Sequence, residues 1–238
     1  IGVPPLEWAN QWMKPKVFTT AVRRRLRLPV CPTISKCPDC RGGRCDPLGI
    51  HQVMCTGGPG TKLRHNAIVR LIAEQAKNAG YRVKIEPGAY VDEKFIYVGL
   101  PPEDERHPDL LIYNWEGGKG LMIDVAVHNP HCSSYADKLA ATEAGGVASW
   151  KEGVKNMKYK NLDPVRFDFM AFTLESTGGF GQTAKTLCGM LRKRQLARSC
   201  SAVNEKFPRD PLITSISCEL QRHSTEMILN REPKHAPL

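Results

Sequence analysis

Five of the nine cysteines lie within 25 residues, in a segment that is rich in glycine and proline and has no hydrophobic period. Such a segment buries too little apolar surface to hold a fold by itself. An odd and clustered set of cysteines is a poor disulfide framework, and it is typical of a metal site in a reducing compartment. Residues 31–60 are therefore predicted to form a small metal-stabilised knuckle.

The spacing within this segment is C-x2-C-x10-H-x3-C. Two pairs of ligands at these separations fit a tetrahedral Zn²⁺ site, and thiolates with one imidazole favour zinc over magnesium or calcium. Cys31 and Cys45 are alternatives for one of the ligands. Free buried cysteines are the competing interpretation, which fits poorly with the polar and glycine neighbours. The predicted ligands of a structural zinc ion are Cys37, Cys40, His51 and Cys55.

The chain carries 34 Lys and Arg against 24 Asp and Glu, a formal net charge of +10. A basic excess of this size favours a polyanionic partner, and DNA is the main candidate, with RNA as an alternative. Two basic segments are predicted to be helices that contact phosphates, although solubilising surface helices have the same composition. Their candidate contact residues are Arg23, Arg24, Arg25, Arg192, Lys193 and Arg194.

The periodicity from residue 64 onwards is that of an α/β domain, in which helical patterns enclose four short apolar strands. We divide the chain into a basic helical segment (1–30), the zinc knuckle (31–60), an α/β core (61–198) and a C-terminal extension (199–238). In the first segment Phe18, Val22 and Leu26 recur every four residues, which predicts a basic amphipathic helix. No apolar run approaches the length of a membrane span, so no membrane association is expected.

Two aspartates are placed for metal chemistry. Asp124 lies inside the apolar strand 121–127, where an ionised carboxylate is costly unless it is paired or binds a metal. Asp109 begins the preceding strand, so a hairpin would bring both carboxylates together, in a site suited to Mg²⁺ or Mn²⁺. Glu86, at the end of the first strand, is a candidate third acid. A turn or cap role for Asp109 and an arginine partner for Asp124 are the alternatives.

The helix after the third strand offers three lysines on one face, because their spacing is i, i+4, i+7. An apolar stripe lies beside them, and it predicts that the helix packs by the stripe and projects the lysines. A solvated lysine face is the plainer interpretation. The lysines are Lys151, Lys155 and Lys158, and the stripe is Trp150, Val154 and Met157.

Six motifs in this order resemble the restriction-like endonuclease of R2-type non-LTR retrotransposons and related reverse-transcriptase-like proteins, which belong to the PD-(D/E)XK superfamily. The resemblance spans roughly residues 17–195. Besides the knuckle, the motifs are RRRLRLP (23–29), RHN (64–66), HPD (107–109), IDVAV (123–127) and KNMKY (155–159).

This resemblance implies a restriction-endonuclease-like mixed sheet flanked by helices, with Asp109 and Asp124 as metal ligands. It implies that Lys155 or Lys158 is the catalytic lysine, which would explain why Ala126 stands where the superfamily has lysine. Tyr159 would support the site. Two residues of the RHN motif, Arg64 and His65, would contact phosphate or brace the knuckle, and His107 replaces the more usual Arg or Lys.

The implied function is a Mg²⁺-dependent endodeoxyribonuclease that nicks DNA to prime reverse transcription, within or fused to a reverse transcriptase polyprotein in the nucleus. The sequence itself contains no polymerase aspartate pair. One rival is a catalytically inactive zinc-knuckle nucleic-acid-binding module, which the alanine at position 126 favours. Another is a structure-specific nuclease similar to junction resolvases.

Overall fold

The computed structural model describes residues 12–31, 34–87, 107–135, 142–198 and 210–232. Within them, no helix has the length and apolar character needed to cross a membrane. The helices are α1 (Pro15–Arg25), α2 (Ile50–Met54), α3 (Gly60–Asn78), α4 (Gly146–Lys158), α5 (Gln182–Arg198) and α6 (Pro211–Leu229). The strands are β1 (Ser35–Lys36), β2 (Arg44–Cys45), β3 (Arg82–Ile85), β4 (Leu110–Tyr113), β5 (Gly120–His128) and β6 (Phe167–Glu175).

The larger sheet has the order β3-β4-β5-β6. Its first three strands pair antiparallel, whereas β5 and β6 are parallel and are joined through α4. The short strands β1 and β2 form a separate antiparallel ribbon inside the knuckle segment. The prediction of an α/β chain with a mixed sheet flanked by helices is thus confirmed, and all four predicted strands are present.

The two faces of β5 have different surroundings, because successive side chains of a strand point to opposite sides. Ile123 and Val125 lie in the main hydrophobic core, which contains residues of α3, α5 and α6. Met122 lies in a smaller apolar cluster with Phe167. Asp124 shares the side of Met122, so the candidate site lies on the sheet face opposite the main core.

Helix α4 turns the opposite face to the sheet from the one predicted. Trp150, Val154 and Met157 are exposed, whereas Lys155 is mostly buried. The helix packs through its small buried residues, such as Ala148. The expected apolar packing face was wrong, because the acid on β5 attracts the lysine face.

The basic helix predicted in the first segment is present as α1. Phe18, Val22 and Leu26 are exposed, and the buried face carries Val17 and Ala21 instead. The predicted C-terminal extension contains α6, whose apolar side chains enter the main core. Residues 1–11, 199–209 and 233–238 of the predicted terminal segments lie outside the described residues.

Candidate functional site

The knuckle brings four ligand atoms together. The sulfurs of Cys37 and Cys55 are 3.7 Å apart, and Cys40 Sγ lies 3.5 Å from His51 Nε2. All four ligand atoms lie within 4.8 Å of one another. A tetrahedral ion with Zn–S bonds of about 2.3 Å has S···S edges of about 3.8 Å, so the residues fit a metal ion such as zinc.

The local chain is built for this cluster. Burial alone would raise the pKa of the Cys37 thiol, but hydrogen bonds from the Asp39 N–H and the His51 side chain lower that pKa to about 6. A thiol of this kind is readily converted to the thiolate that metals bind. A Cβ at Gly43 would overlap the His51 ring, so only glycine fits there. Asp46 caps α2 by accepting the His51 N–H at 2.8 Å.

The two alternative cysteines have partners outside the quartet. Cys45 Sγ is 4.0 Å from the Arg231 carbonyl oxygen, and Cys31 Sγ accepts a hydrogen bond from Gln52 at 3.4 Å. Among the described residues, the predicted quartet is the only group of three or more close cysteine, histidine and acidic ligands. The structure therefore selects the C-x2-C-x10-H-x3-C set over the substitutes.

Two buried arginines fasten the knuckle to the helices. Arg231 donates to the Gln52 carbonyl at 3.0 Å and pairs with Asp39 at 2.7 Å. Arg64 is only 2% exposed and donates to the carbonyl of Val53 and the hydroxyl of Ser224, both at 3.1 Å. Because its guanidinium is buried, the expected phosphate contact of Arg64 was wrong, and the bracing alternative describes it.

Asp109 and Asp124 face each other across neighbouring strands. The register pairs Leu110 with Ile123, and the Asp109 N–H donates to the Ile123 carbonyl at 2.9 Å. The next step of this register sets Asp109 opposite Asp124, and directly opposed residues share a sheet face. The hairpin expected from the sequence therefore brings the two carboxylates together.

Asp109 is held as an anion. Burial alone would raise its pKa, but hydrogen bonds from the His65 ring at 3.2 Å and from the Val125 N–H at 2.6 Å lower it. The same contact with Asp109 raises the pKa of His65. His65, expected at the phosphate backbone or the knuckle, instead lies beside a candidate metal ligand and hydrogen-bonds to it.

Asp124 is the more buried of the two acids, and its pKa is raised by burial and by the charge of Asp109 against the opposing effect of Lys155. Lys155 Nζ lies 2.7 Å from Asp124 Oδ2, and Lys158 Nζ lies 3.9 Å away. The side chain of Lys155 is 19% exposed, that of Lys158 39%. The helix lysines thus occupy the place next to the second acid that Ala126 leaves open.

Tyr159 also lies at this site. It is buried, stacks on Phe169 and donates its hydroxyl hydrogen to the His107 carbonyl at 3.1 Å. Lys158 Nζ is 3.4 Å from the same hydroxyl. The tyrosine therefore links the end of α4 to the backbone two residues before Asp109.

Glu86 does not join Asp109 and Asp124 in a group of metal ligands. Its backbone N–H donates to the Asp109 carbonyl, but its φ of 46° turns the chain out of the extended conformation and its side chain is exposed. It lines an open cleft together with His65, Arg70 and Asp109. Its expected role as a third metal ligand finds no support in this geometry.

The predicted arginine contacts fall on two different surfaces. In α1, Arg24 donates to the Ser176 carbonyl and hydroxyl at 2.8 Å, and Arg23 and Arg25 are exposed beside it. This surface adjoins the carboxyl ends of β5 and β6. Helix α5 covers the sheet face opposite the carboxylates, where Arg194 lies over the Tyr81 ring. The segment with Arg192 and Lys193 is therefore separated from the carboxylates by the sheet.

Two buried acids, Glu175 and Glu152, fix the starts of α4 and α5. Glu175 accepts the Val147 N–H at 3.1 Å, at the start of α4. Glu152, within α4, accepts the N–H groups of Thr183 and Ala184 at the start of α5. Local signals for these caps are absent, because each acid is distant in sequence from the helix end it binds.

Comparison with known proteins gives no assignment: neither a protein-family model nor a curated protein matches the chain.

Proposed function

We propose that this chain is a metal-dependent DNA endonuclease domain of the PD-(D/E)XK type, related to the nuclease of R2-type retrotransposon proteins. The main support is the opposed pair Asp109 and Asp124 with Lys155 at 2.7 Å from the second acid. Two carboxylates and a lysine on one sheet face form the minimal set for metal-assisted phosphodiester hydrolysis. The motif order in the sequence supports the retrotransposon setting, with a reverse transcriptase as the fused partner.

The acid pair suits a hard divalent cation. Mg²⁺ prefers carboxylate oxygens and retains several waters, and Asp109 raises the pKa of Asp124, a repulsion that a cation would remove. Asp109 and Asp124 would hold the ion, and Mn²⁺ would fit the same donors. When bound, the ion would polarise a phosphoryl oxygen and lower the pKa of water.

The protein groups around the pair have separate tasks. Hydrogen bonds from His65 and the Val125 N–H orient the Asp109 carboxylate. Lys155, mostly withdrawn from solvent, places a positive charge where negative charge develops on the phosphoryl group. Tyr159 fixes the end of α4 to the His107 carbonyl and so keeps the lysine face against β5.

The knuckle has a structural task in this proposal. A zinc ion held by three thiolates and one imidazole has no open position for catalysis. Arg231, just after α6, and Arg64 of α3 both donate to carbonyl groups of the knuckle and so connect it to these helices. The exposed arginines of α1, next to the carboxyl ends of β5 and β6, contact DNA in this proposal.

Nicking of supercoiled plasmid by the zinc-loaded chain tests the proposal. We expect nicking in Mg²⁺, none in EDTA, and none for Asp109→Ala or Asp124→Ala, while both variants still bind DNA. Asp168→Ala is the matched control, because Asp168 pairs with Lys119 away from the acid pair. Nicking that survives in Asp109→Ala would reject the site.

A second candidate is a DNA-binding module without catalysis, which the alanine at position 126 favours. In that case the wild-type chain binds DNA with strong salt dependence and nicks nothing in Mg²⁺ or Mn²⁺. Comparing linear, bubble and four-way DNA then separates a retrotransposon-type nickase from a resolvase-like enzyme.

A further inference from the structure

Two aromatic rings, one of them on α4, lie at the carboxyl end of β5. Tyr135 and Trp150 meet edge to face with ring centroids 6.0 Å apart, and Trp150 is 39% exposed. Lys151 Nζ lies 4.8 Å from the Trp150 ring centroid and 5.5 Å from that of Tyr135. We call Tyr135 and Trp150 the aromatic platform.

His128 orients the platform. Its Nδ1 is 3.4 Å from the Tyr135 hydroxyl, and the two rings are nearly perpendicular. No described residue hydrogen-bonds to His128 Nε2, although this atom is buried. Burial, with the charges of Lys151 and Lys155, lowers the pKa of His128 to about 4, so the ring is neutral at neutral pH. A neutral ring can hold the tyrosine without adding charge.

The platform lies on the same side of the sheet as the acids. Asp124 and His128 are four residues apart on β5, so they share a face about 13 Å apart along the strand. One strand of duplex DNA advances about 3.4 Å per nucleotide, so His128, which contacts the platform, is about four such steps from Asp124. Beyond it, Arg27 contacts His131, and Arg25 reaches the Thr177 carbonyl, which continues the basic surface.

We infer that the aromatic platform binds an unpaired nucleotide of the DNA strand, within about four steps of the phosphate held at Asp109 and Asp124. The base stacks on the exposed aromatic surface, and the Lys151 ammonium leaves the rings and pairs with the phosphate of that nucleotide. Base–aromatic stacking is stronger than an exposed cation–π contact, so this exchange is favourable. The inference rests on the proposed nuclease function for its substrate.

Two probes test base stacking without relying on cleavage. One is a fluorescein-labelled DNA duplex with a short unpaired bubble, and the other is the same duplex with abasic sites in the bubble. Binding is measured by anisotropy with the zinc-loaded full chain, and with Ca²⁺ in place of Mg²⁺. Removing the bases is expected to weaken wild-type binding about tenfold. Equal affinity of the wild type for both probes overturns the inference.

Variants localise the effect. Tyr135→Leu and Trp150→Leu are expected to weaken binding to the bubble by a similar factor and to lose most of the sensitivity to base removal. Lys151→Met should weaken binding to both probes by the same factor, because it removes a phosphate contact. Trp12→Leu and Lys185→Met are matched controls on exposed residues elsewhere. Full base sensitivity in both platform variants overturns the inference even if they bind more weakly.

Plasmid nicking, measured in parallel, separates the two proposals. Nicking by a wild-type chain whose binding ignores the bases rejects the platform and keeps the nuclease. Base-dependent binding without nicking keeps the platform and rejects the nuclease. The abasic probe needs no variant, so poor folding of a platform variant leaves the test intact.

Discussion

Lys155 and Lys158 differ in distance to Asp124 and in exposure, and this difference distinguishes their roles. Lys155 is at 2.7 Å and mostly buried, whereas Lys158 is at 3.9 Å and also contacts the Tyr159 hydroxyl. A charge acts more strongly on a phosphoryl group where water is excluded. The sequence left the two lysines equivalent, because both share one helix face.

We therefore predict that Lys155→Met lowers the single-turnover nicking rate by about 100-fold or more. Lys158→Met should lower it by less, because its side chain is more distant and better solvated. Lys185→Met is the charge-matched control. A larger loss in Lys158→Met than in Lys155→Met would assign the catalytic role to Lys158.

A second prediction concerns the protonation of His65. Its hydrogen bond with Asp109 is the main cause that raises its pKa, while burial opposes it. In Asp109→Asn the pKa of His65 should fall to or below the ordinary value of about 6.5. An NMR titration of the imidazole measures this shift, with Asp168→Asn as the control. An unchanged pKa in Asp109→Asn would contradict the ion pair.

The same pair makes stability depend on pH. Folding lowers the pKa of Asp109, so the contribution of this carboxylate to the free energy of unfolding is lost as the pH falls through the pKa of the folded state. Folding raises the pKa of His65, so that contribution is lost as the pH rises through the folded value. Without divalent ions, both contributions are fully present between about pH 4 and 6.5. Urea unfolding of wild type and Asp109→Asn should differ most in this range.

At the scale of elements, alternation and turn residues predicted the strands well. The four strands of the larger sheet appear close to their expected ranges, and Gly80 ends α3 with a φ of 86°, as a C-terminal glycine does. The orientation of α1 and α4 was not predictable from the apolar stripes alone. In α4 the attraction of Lys155 to Asp124 opposes packing through the apolar stripe. Hydrophobic periodicity carries no information about such a partner on a strand.

Glu152 shows why the cap of α5 was not predictable from local sequence. It is 5% exposed and accepts two N–H groups of α5 from within α4. We predict that Glu152→Ala lowers the free energy of unfolding by about 1–2 kcal/mol, as loss of a helix cap does. Glu143→Ala, at an exposed position, should change it by less than about 0.5 kcal/mol. Equal urea midpoints for the two variants would argue against the cap.

At the scale of the whole molecule, the knuckle and the α/β core share their packing. Val53 of the knuckle lies in one apolar cluster with Ile228 of α6, and Leu212 and Ile216 of the same helix lie in the main core. The sequence predicted the zinc ligands but assigned α6 to a loosely defined extension. The position of α6 depends on contacts between residues more than 150 positions apart in the sequence, such as Arg64 and Ser224. No local sequence pattern encodes such contacts.

Zinc should therefore stabilise the whole chain and not the knuckle alone. Arg231 joins the Asp39 carboxylate to the Met227 carbonyl of α6, so loss of the metal should loosen this helix as well. We predict that Cys40→Ser lowers a single cooperative Tm by about 10 °C or more and speeds amide hydrogen exchange along α6. Cys132→Ser, at a half-buried cysteine outside the cluster, should change neither. Separate melting of the knuckle, with α6 still protected, would show instead that the two parts are energetically independent.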